Sequence, residues 1–426
     1  MNYIEAVEYI HSLLKFGVRP GLSGMDALLC ALNNPHKNLK YVHVAGTNGK
    51  GSVSTAISNV LIESGYKVGL YTSPYVTDFL ERVQFNGQPV GRAVFAQSVK
   101  NVKNAVEELE KSDIVITEFE ALTAAAFLCF DALKCDIVVL EVGLGGRLDA
   151  TNVIGTPLVN VITSLSIDHS AILGDTIEQI AYEKCGTIKE GSKVVCSFSQ
   201  PEGAFDVVEK TVKDKSASLV IPDINALEVI KTDIFGTDFI YKGKGYKIAL
   251  PGEHQLKNMT SVIEACKILG ETFNISYESV FKGISKTILP ARVEVIRKRP
   301  LVILDGGHNK DGATAFYNAV RSEITEKDKI IVIAGMMADK EVESSLFSLI
   351  SAADIFVAVT PDNPRAMNAV ELGTIARKYC NNVLEMDDPV KAVEYCASIL
   401  SENDMLCIVG SLYLAGEVRT TCLELF

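Results

Sequence analysis

A short apolar run, YVHVA (41–45), meets a helical pattern, VSTAISNVLIES (53–64), across the seven residues GTNGKGS, three of them glycine. A strand that passes through a glycine-rich turn directly into a helix belongs to a βαβ unit, which restricts the chain to folds built on a mainly parallel sheet. Glycines in such a turn expose backbone N–H groups, and these face the same point as the positive end of the following helix. That makes the turn a candidate grip for phosphate. Its spacing departs from the commonest phosphate loop, which has four residues between the first glycine and Gly-Lys-Ser/Thr. Here two residues separate Gly46 from Gly49, and Gly51 stands between Lys50 and Ser52. The residues leave two readings open. In one, Lys50 places its charge on terminal phosphates and Ser52 faces a metal ion; in the other, Ser52 is simply the N-cap of a helix after a glycine turn.

The same alternation continues along the chain. KVGLYTS (67–73), DIVVLEVG (136–143) and LVNVITSLS (158–166) read as strands, with helical patterns near 92–110 and 118–134. VIKTDIFGTDFIYKGKGYKIAL (229–250) instead alternates apolar and polar residues around Gly243-Lys244-Gly245, which indicates antiparallel hairpins. PGEHQLKNMTSVIEACKIL returns to helix, with Asn258 as its expected N-cap. After LPAR (289–292) a second α/β set begins, with strands in LVILDGG, KIIVIAGMM, DIFVAVT and MLCIVGSL. At 426 residues a single core would be overgrown, so two domains are expected, 1–295 and 296–426, the first carrying a small antiparallel insertion.

A net charge of −12 argues against nucleic acid and anionic membrane as partners. The ten cysteines show no CxxC pair and lie mostly in apolar runs, as reduced buried thiols do. The N-terminal MNYIEAVEYIHSLLKFG lacks the basic-then-apolar pattern of a signal peptide, and no apolar run approaches the roughly 18 residues of a membrane span. The expectation is a cytoplasmic protein.

In open α/β sheets ligands bind beyond the carboxyl ends of the strands. Ser73, Glu141 and the pair Asp168-His169 stand at three such ends. A carboxylate at the position of Glu141 suits Mg²⁺, which prefers hard oxygen ligands. Each residue also has a plain structural explanation: Ser73 as a turn cap, Glu141 paired with Arg147, His169 as a loop histidine. In the second α/β set, the glycines of DGGHN allow Asp305 and His308 to approach a ligand closely.

AGTNGKGS, TSPYV, TEFEALTAAAF, EVGLGGRLDATN, SIDHSAILGDTIEQIAYEKCGTI, GEHQLKN, LPAR, DGGHN, ADK and GSLYL follow one another over essentially the whole chain. In these segments and their order the sequence resembles the folylpolyglutamate synthases, which with their dihydrofolate synthase relatives belong to the Mur ligase superfamily. In that family the shortened glycine loop is the normal form. The resemblance implies a P-loop domain joined to a C-terminal Rossmann-like domain. It also implies an ATP-dependent ligase that converts a folate carboxylate to an acyl phosphate and joins it to the amine of L-glutamate.

Position by position, the resemblance implies that Asn48, Gly49, Lys50, Gly51 and Ser52 cradle the triphosphate. Ser73, Glu141 and His169 match magnesium ligands, although histidine is an unusual partner for so hard a cation. Lys184 matches a lysine carried as a carbamate, an anionic group able to serve a second Mg²⁺. The alternative is a solvated helix lysine, two turns into a helix opened by a Thr176–Gln179 capping box. His254, Gln255 and Asn258 match an ATP-contacting segment, Arg292 an arginine reaching the phosphates across the domain boundary, and Asp305 and His308 the second domain's contribution. SPYVTDFLERVQFNGQPV matches a mobile loop of the folate pocket, where Tyr75, Phe79 and Phe85 either stack on a pterin or pack locally. The partners implied are ATP, glutamate and a folate or dihydropteroate; no nucleic acid or membrane partner is expected, and a site built from two domains of one chain leads us to expect a monomer. Two other readings stay open: a superfamily ligase acting on a UDP-linked cell-wall peptide, and a P-loop kinase or nucleotide-gated binding protein. Nothing in GGRLDATN separates single-function from bifunctional folate enzymes.

Overall fold

A computed structural model describes residues 1–17, 19–307, 310–325, 327–338 and 342–426. The first half is organised around an eight-stranded sheet. Its strands are β1 (Tyr41–Ala45), β2 (Val68–Tyr71), β3 (Val83–Phe85), β4 (Gln88–Pro89), β5 (Ile137–Glu141), β6 (Val159–Ile162), β7 (Lys193–Cys196) and β8 (Ser218–Val220). They lie in the order β4-β3-β2-β5-β1-β6-β7-β8, and all pairs are parallel except those made by β3 and β4. The strands β1, β2, β5 and β6 are buried along their whole length, because helices cover both faces. This explains why they read as continuous apolar runs and not as alternations.

Three more strands, β9 (Leu227–Asp233), β10 (Gly236–Tyr241) and β11 (Lys244–Ile248), form the expected small antiparallel sheet. The second half holds β12 (Glu294–Lys298), β13 (Leu301–Leu304), β14 (Ile330–Ala334), β15 (Ile355–Val359), β16 (Val383–Met386) and β17 (Met405–Val409). Their order is β12-β13-β17-β14-β15-β16, parallel apart from the edge strand β12. Among the described residues no helix is long and apolar enough to cross a membrane.

Six strands escape the sequence reading: β3, β4, β7, β8, β12 and β16. All but β7 are two to five residues long, lie toward a sheet edge and are partly exposed, so they carry no long apolar run. One helix start is also corrected. The helix Glu253–Leu269 begins after Gly252, which leaves Asn258 in its second turn as a buried interior residue and not an N-cap.

Candidate functional site

The sheet order sets the site. β1 lies between β5 and β6, with β2 beyond β5, so the carboxyl ends carrying Ser73, Glu141, the glycine loop and Asp168-His169 stand side by side. Parallel pairing opposes Val44 to Glu141, which puts that carboxylate level with the start of the loop.

The loop is laced to the residues after β6. The Thr47 N–H donates to Ser164 O (2.8 Å), Ser164 Oγ donates to Asn48 O (3.1 Å), and Thr47 Oγ1 joins Ser166 (3.1 Å). Gly49, with φ 88°, is the N-cap of the helix Lys50–Glu63, so Ser52 does not cap it and is buried in the first turn. The left-handed backbone at Gly49 favours glycine, and a side chain there would also meet Asn258, whose Oδ1 lies 2.4 Å from the position of a Cβ. The N–H groups of Lys50, Gly51 and Ser52 have no partner within the helix, and they supply the donors an anion needs.

Two ammonium groups converge behind the loop. Lys50 Nζ donates to Gly46 O and Thr47 O, both at 3.1 Å, and Lys184 Nζ donates to Gly46 O at 2.9 Å. Lys184 is only 4% exposed, which removes the solvated-lysine reading, and its helix Ile177–Cys185 does open with the Thr176–Gln179 capping box. Burial first, and the neighbouring Lys50 charge second, lower the Lys184 pKa to about 7. Burial also lowers that of Lys50, against the attraction of Glu141 and Asp168.

Glu141 is 4% exposed and, among the described residues, pairs with neither Arg147 nor any other arginine. Arg147 is held by Glu183 (2.8 Å), while Glu141 Oε2 accepts the Ser73 N–H (3.1 Å). Burial pushes its pKa up to about 7, only partly offset by Lys50, the Ser73 N–H and Arg292. A buried carboxylate with so little compensation suits a bound cation. Among the described residues no three His, Cys, Asp or Glu side chains cluster as a metal cage. One carboxylate with a hydroxyl and an imidazole nearby fits Mg²⁺, which takes few protein ligands and completes its shell with phosphate oxygens and water. His169 is brought to the same cavity but not into contact with Glu141. Its ring is half exposed, with Nε2 3.8 Å from Asp168 Oδ2.

A cavity of about 740 Å³ collects these groups, and both halves of the chain line it. Asn48, Gly49, Lys50, Gly51, Ser52, Ser73, Glu141, His169, His254 and Gln255 come from the first half, Arg292 from the junction and Asp305 from the second. Asn258 lies outside the lining; its Nδ2 donates to Gln255 Oε1 (3.0 Å), and it backs Gly49. Asp305 does reach the cavity, but both of its oxygens already accept backbone N–H groups, from Val293 and Gly307 at 2.8 Å each. His308 lies outside the described residues.

Sequence reasoning passed over Glu81. Its carboxylate accepts the N–H groups of Val76, Thr77 and Asp78 (2.8–3.0 Å), shaping the loop after Ser73, and it lines the cavity. The Asp78-x-x-Glu81 spacing of a capping box was the available signal. Of the loop aromatics, Phe79 is core, packed edge-on against His11, Tyr75 and Phe95.

Comparison with known proteins identifies the family of the fold. Residues 44–266 match the Mur ligase middle domain and residues 291–412 the Mur ligase glutamate ligase domain. The chain is 36% identical over 433 residues to a dihydrofolate synthase/folylpolyglutamate synthase of Bacillus subtilis, covering 98% of both chains. It is 34% identical to a folylpolyglutamate synthase of Lacticaseibacillus casei, covering 99% of both. Among solved structures, an FPGS–AMPPCP complex superposes with a TM-score of 0.85 at 33% identity, covering 99% of this chain and all of that one. The Escherichia coli FolC in complex with DHPP and ADP gives 0.85 at 26% identity, covering 99% and 97%.

Proposed function

Because the chain belongs to the folylpolyglutamate synthase/dihydrofolate synthase family of Mur ligases and is an ATP-dependent glutamate ligase, we propose that its 740 Å³ cavity binds ATP, glutamate and a reduced folate or dihydropteroate together. The observation that carries this reading is the convergence of a helix N-terminus, Lys50, Glu141 and Arg292 on one cavity lined from both halves.

In the reaction the substrate carboxylate attacks the γ-phosphorus of ATP and ADP leaves, giving an acyl phosphate. The amine of glutamate then attacks the acyl carbon, loses a proton and expels phosphate. Phosphoryl transfer asks the protein chiefly for positioning and charge neutralisation. The N–H groups of Lys50, Gly51 and Ser52 hold the phosphate oxygens, and the Lys50 ammonium leaves its carbonyl partners for the terminal phosphates. Arg292 approaches the same phosphates from the junction, so closure of the two halves completes the charge balance. His254 and Gln255 face the nucleotide, with Asn258 as their support, while Asp305 shapes the second half's side of the cavity through the backbone of Val293 and Gly307. Ser73, Glu141 and His169 would hold Mg²⁺, which supplies charge neutralisation and orients the carboxylate. Lys184, with a pKa lowered to about 7, holds a fraction of neutral amine that can add to CO₂ and, on losing one proton, become a carbamate.

We place the division between the halves near residue 295, a reading supported by β12 joining the second sheet from residue 294. We also place the enzyme in the cytoplasm as a monomer, since ten unpaired cysteines suit a reducing compartment and one chain supplies both sides of the cavity.

The deciding experiment is ADP release with Mg·ATP and glutamate, supplied in turn with tetrahydrofolate and with dihydropteroate, and read by product mass. Gain of one glutamyl unit on both means a bifunctional enzyme, and gain on tetrahydrofolate alone a dedicated polyglutamylating one. Gain on neither overturns the proposal.

A further inference from the structure

Arg292 lines the cavity, and among the described residues it makes no hydrogen bond or ion pair, so its own contacts do not explain its direction. Its two neighbours do. Ala291 has φ 53° and Val293 has φ 48°, so Arg292 stands between two left-handed residues, one of them β-branched. Such backbone is strained for any residue but glycine and persists only where its surroundings over-determine it.

Those surroundings are specific. The Ala291 N–H donates to Glu294 Oε2 (2.8 Å) and its carbonyl accepts the Gly306 N–H (2.8 Å); the Val293 N–H donates to Asp305 Oδ2 (2.8 Å). Glu294 is in turn gripped by Arg419 from the C-terminal helix Leu412–Leu425, Nη2 to Oε1 at 2.8 Å and Nε to Oε2 at 3.0 Å. The two side chains are 11% and 22% exposed, and neither residue lines the cavity. A bidentate arginine fixes the carboxylate plane as well as its charge. It leaves Oε2 aimed at the N–H of the left-handed Ala291.

We propose that Glu294 and Arg419 are positioning residues for the ligase reaction: they clamp the strained Ala291–Val293 segment and so aim Arg292 at the phosphates of ATP. This rests on the role given above to Arg292. It extends that role from the residue that touches the nucleotide to the pair that holds it in place.

The test measures KM for ATP, KM for glutamate, kcat, and the Kd of AMPPCP by calorimetry in a set of variants. Glu294→Ala is expected to raise the ATP KM and the AMPPCP Kd about tenfold, the scale of one charge-assisted hydrogen bond, and to leave the glutamate KM unchanged. Glu294→Gln keeps an acceptor for the Ala291 N–H and should lose less. Ala291→Gly in the Glu294→Ala background should recover most of the ATP affinity, because glycine takes the left-handed conformation without a clamp. A purely structural Glu294 predicts instead a lowered Tm in Glu294→Ala with the ATP KM and the AMPPCP Kd unchanged. ATP affinity unchanged in Glu294→Ala, or unrecovered in the double variant, overturns the proposal, provided Arg292→Ala is itself impaired. An Arg292→Ala enzyme that binds AMPPCP normally overturns instead the site reading beneath it.

Discussion

At the scale of single residues, the cavity gathers charges that the fold holds at a cost. Lys184 and Glu141 are buried and Lys50 is half-buried, all three with pKa values moved toward neutrality, as groups that serve a ligand often are. Lys50→Ala and Glu141→Ala are each expected to lower kcat by on the order of 10³-fold in the ADP-release assay. Neither should lower the Tm, because each removes a charge whose burial opposes folding. Lys184 has a folded pKa near 7, well below its ordinary value, so the folded state holds that proton less tightly than the unfolded chain. The stability lost to the buried ammonium is therefore fully felt below pH 7 and regained as pH rises from there toward the unfolded pKa. Carbamate formation follows the neutral amine in the same direction. A ¹³C-bicarbonate carbamate signal, absent from Lys184→Ala, should fall at least tenfold for each pH unit below about 7, because one proton leaves the ammonium and a second leaves as the carbamate forms. A signal independent of pH would remove the carbamate assignment. His43 is a contrasting case: wholly buried in β1, with its pKa lowered to about 3 by burial, it stays neutral and shares a 2.8 Å hydrogen bond with Thr151.

At the scale of elements, the helix Ile177–Cys185 carries Lys184 to the loop only because it packs closely on the turn after Glu141. A Cβ on Gly146 would lie 2.9 Å from both Glu183 O and Lys184 O, backbone atoms that cannot step aside alone. The Arg147 N–H closes the same contact on Glu183 O at 2.7 Å. Gly146→Ala is expected to cost about 1–3 kcal/mol in denaturant unfolding and to reduce kcat more than it changes the ATP KM. Unchanged stability would show that the helix can slide, in which case Lys184 is not rigidly delivered. The glycines of EVGLGGRLDATN were plain in the sequence, but the partner they admit was not.

At the scale of the whole molecule, the two halves meet over the loop that follows Ser73. Val76 packs against the core of the second half, and a Cβ on Gly416, in the helix Leu412–Leu425, would stand 2.1 Å from Val76 O. Gly416→Ala should prise the C-terminal helix from that loop. The expected result is a loss of roughly tenfold to a hundredfold in kcat/KM for tetrahydrofolate, the scale of an ångström-sized misplacement. Normal turnover would mean that the halves are not coupled through this contact. The same helix provides Arg419, whose grip on Glu294 steadies the segment that carries Arg292.

The α/β class, the antiparallel insertion, the glycine loop and the polar residues at strand ends were all legible in the chain, because each is a local pattern of periodicity, glycine placement or strand termination. So was the family, through motifs kept in order along the whole length. The short edge strands were not, since a partly exposed strand of two to five residues has no periodicity to read. Nor was the order β2-β5-β1-β6, which makes neighbours of Ser73, Glu141, Lys50 and His169, because strand order depends on crossovers and packing between segments far apart in sequence. Asn258 looked like a cap and lies instead beneath Gly49, and Asp305, read as a residue near ligand, also holds the backbone of Val293. In each case the residue type was visible early, whereas its partner came from another element, and such long-range contacts exist only once the chain has folded.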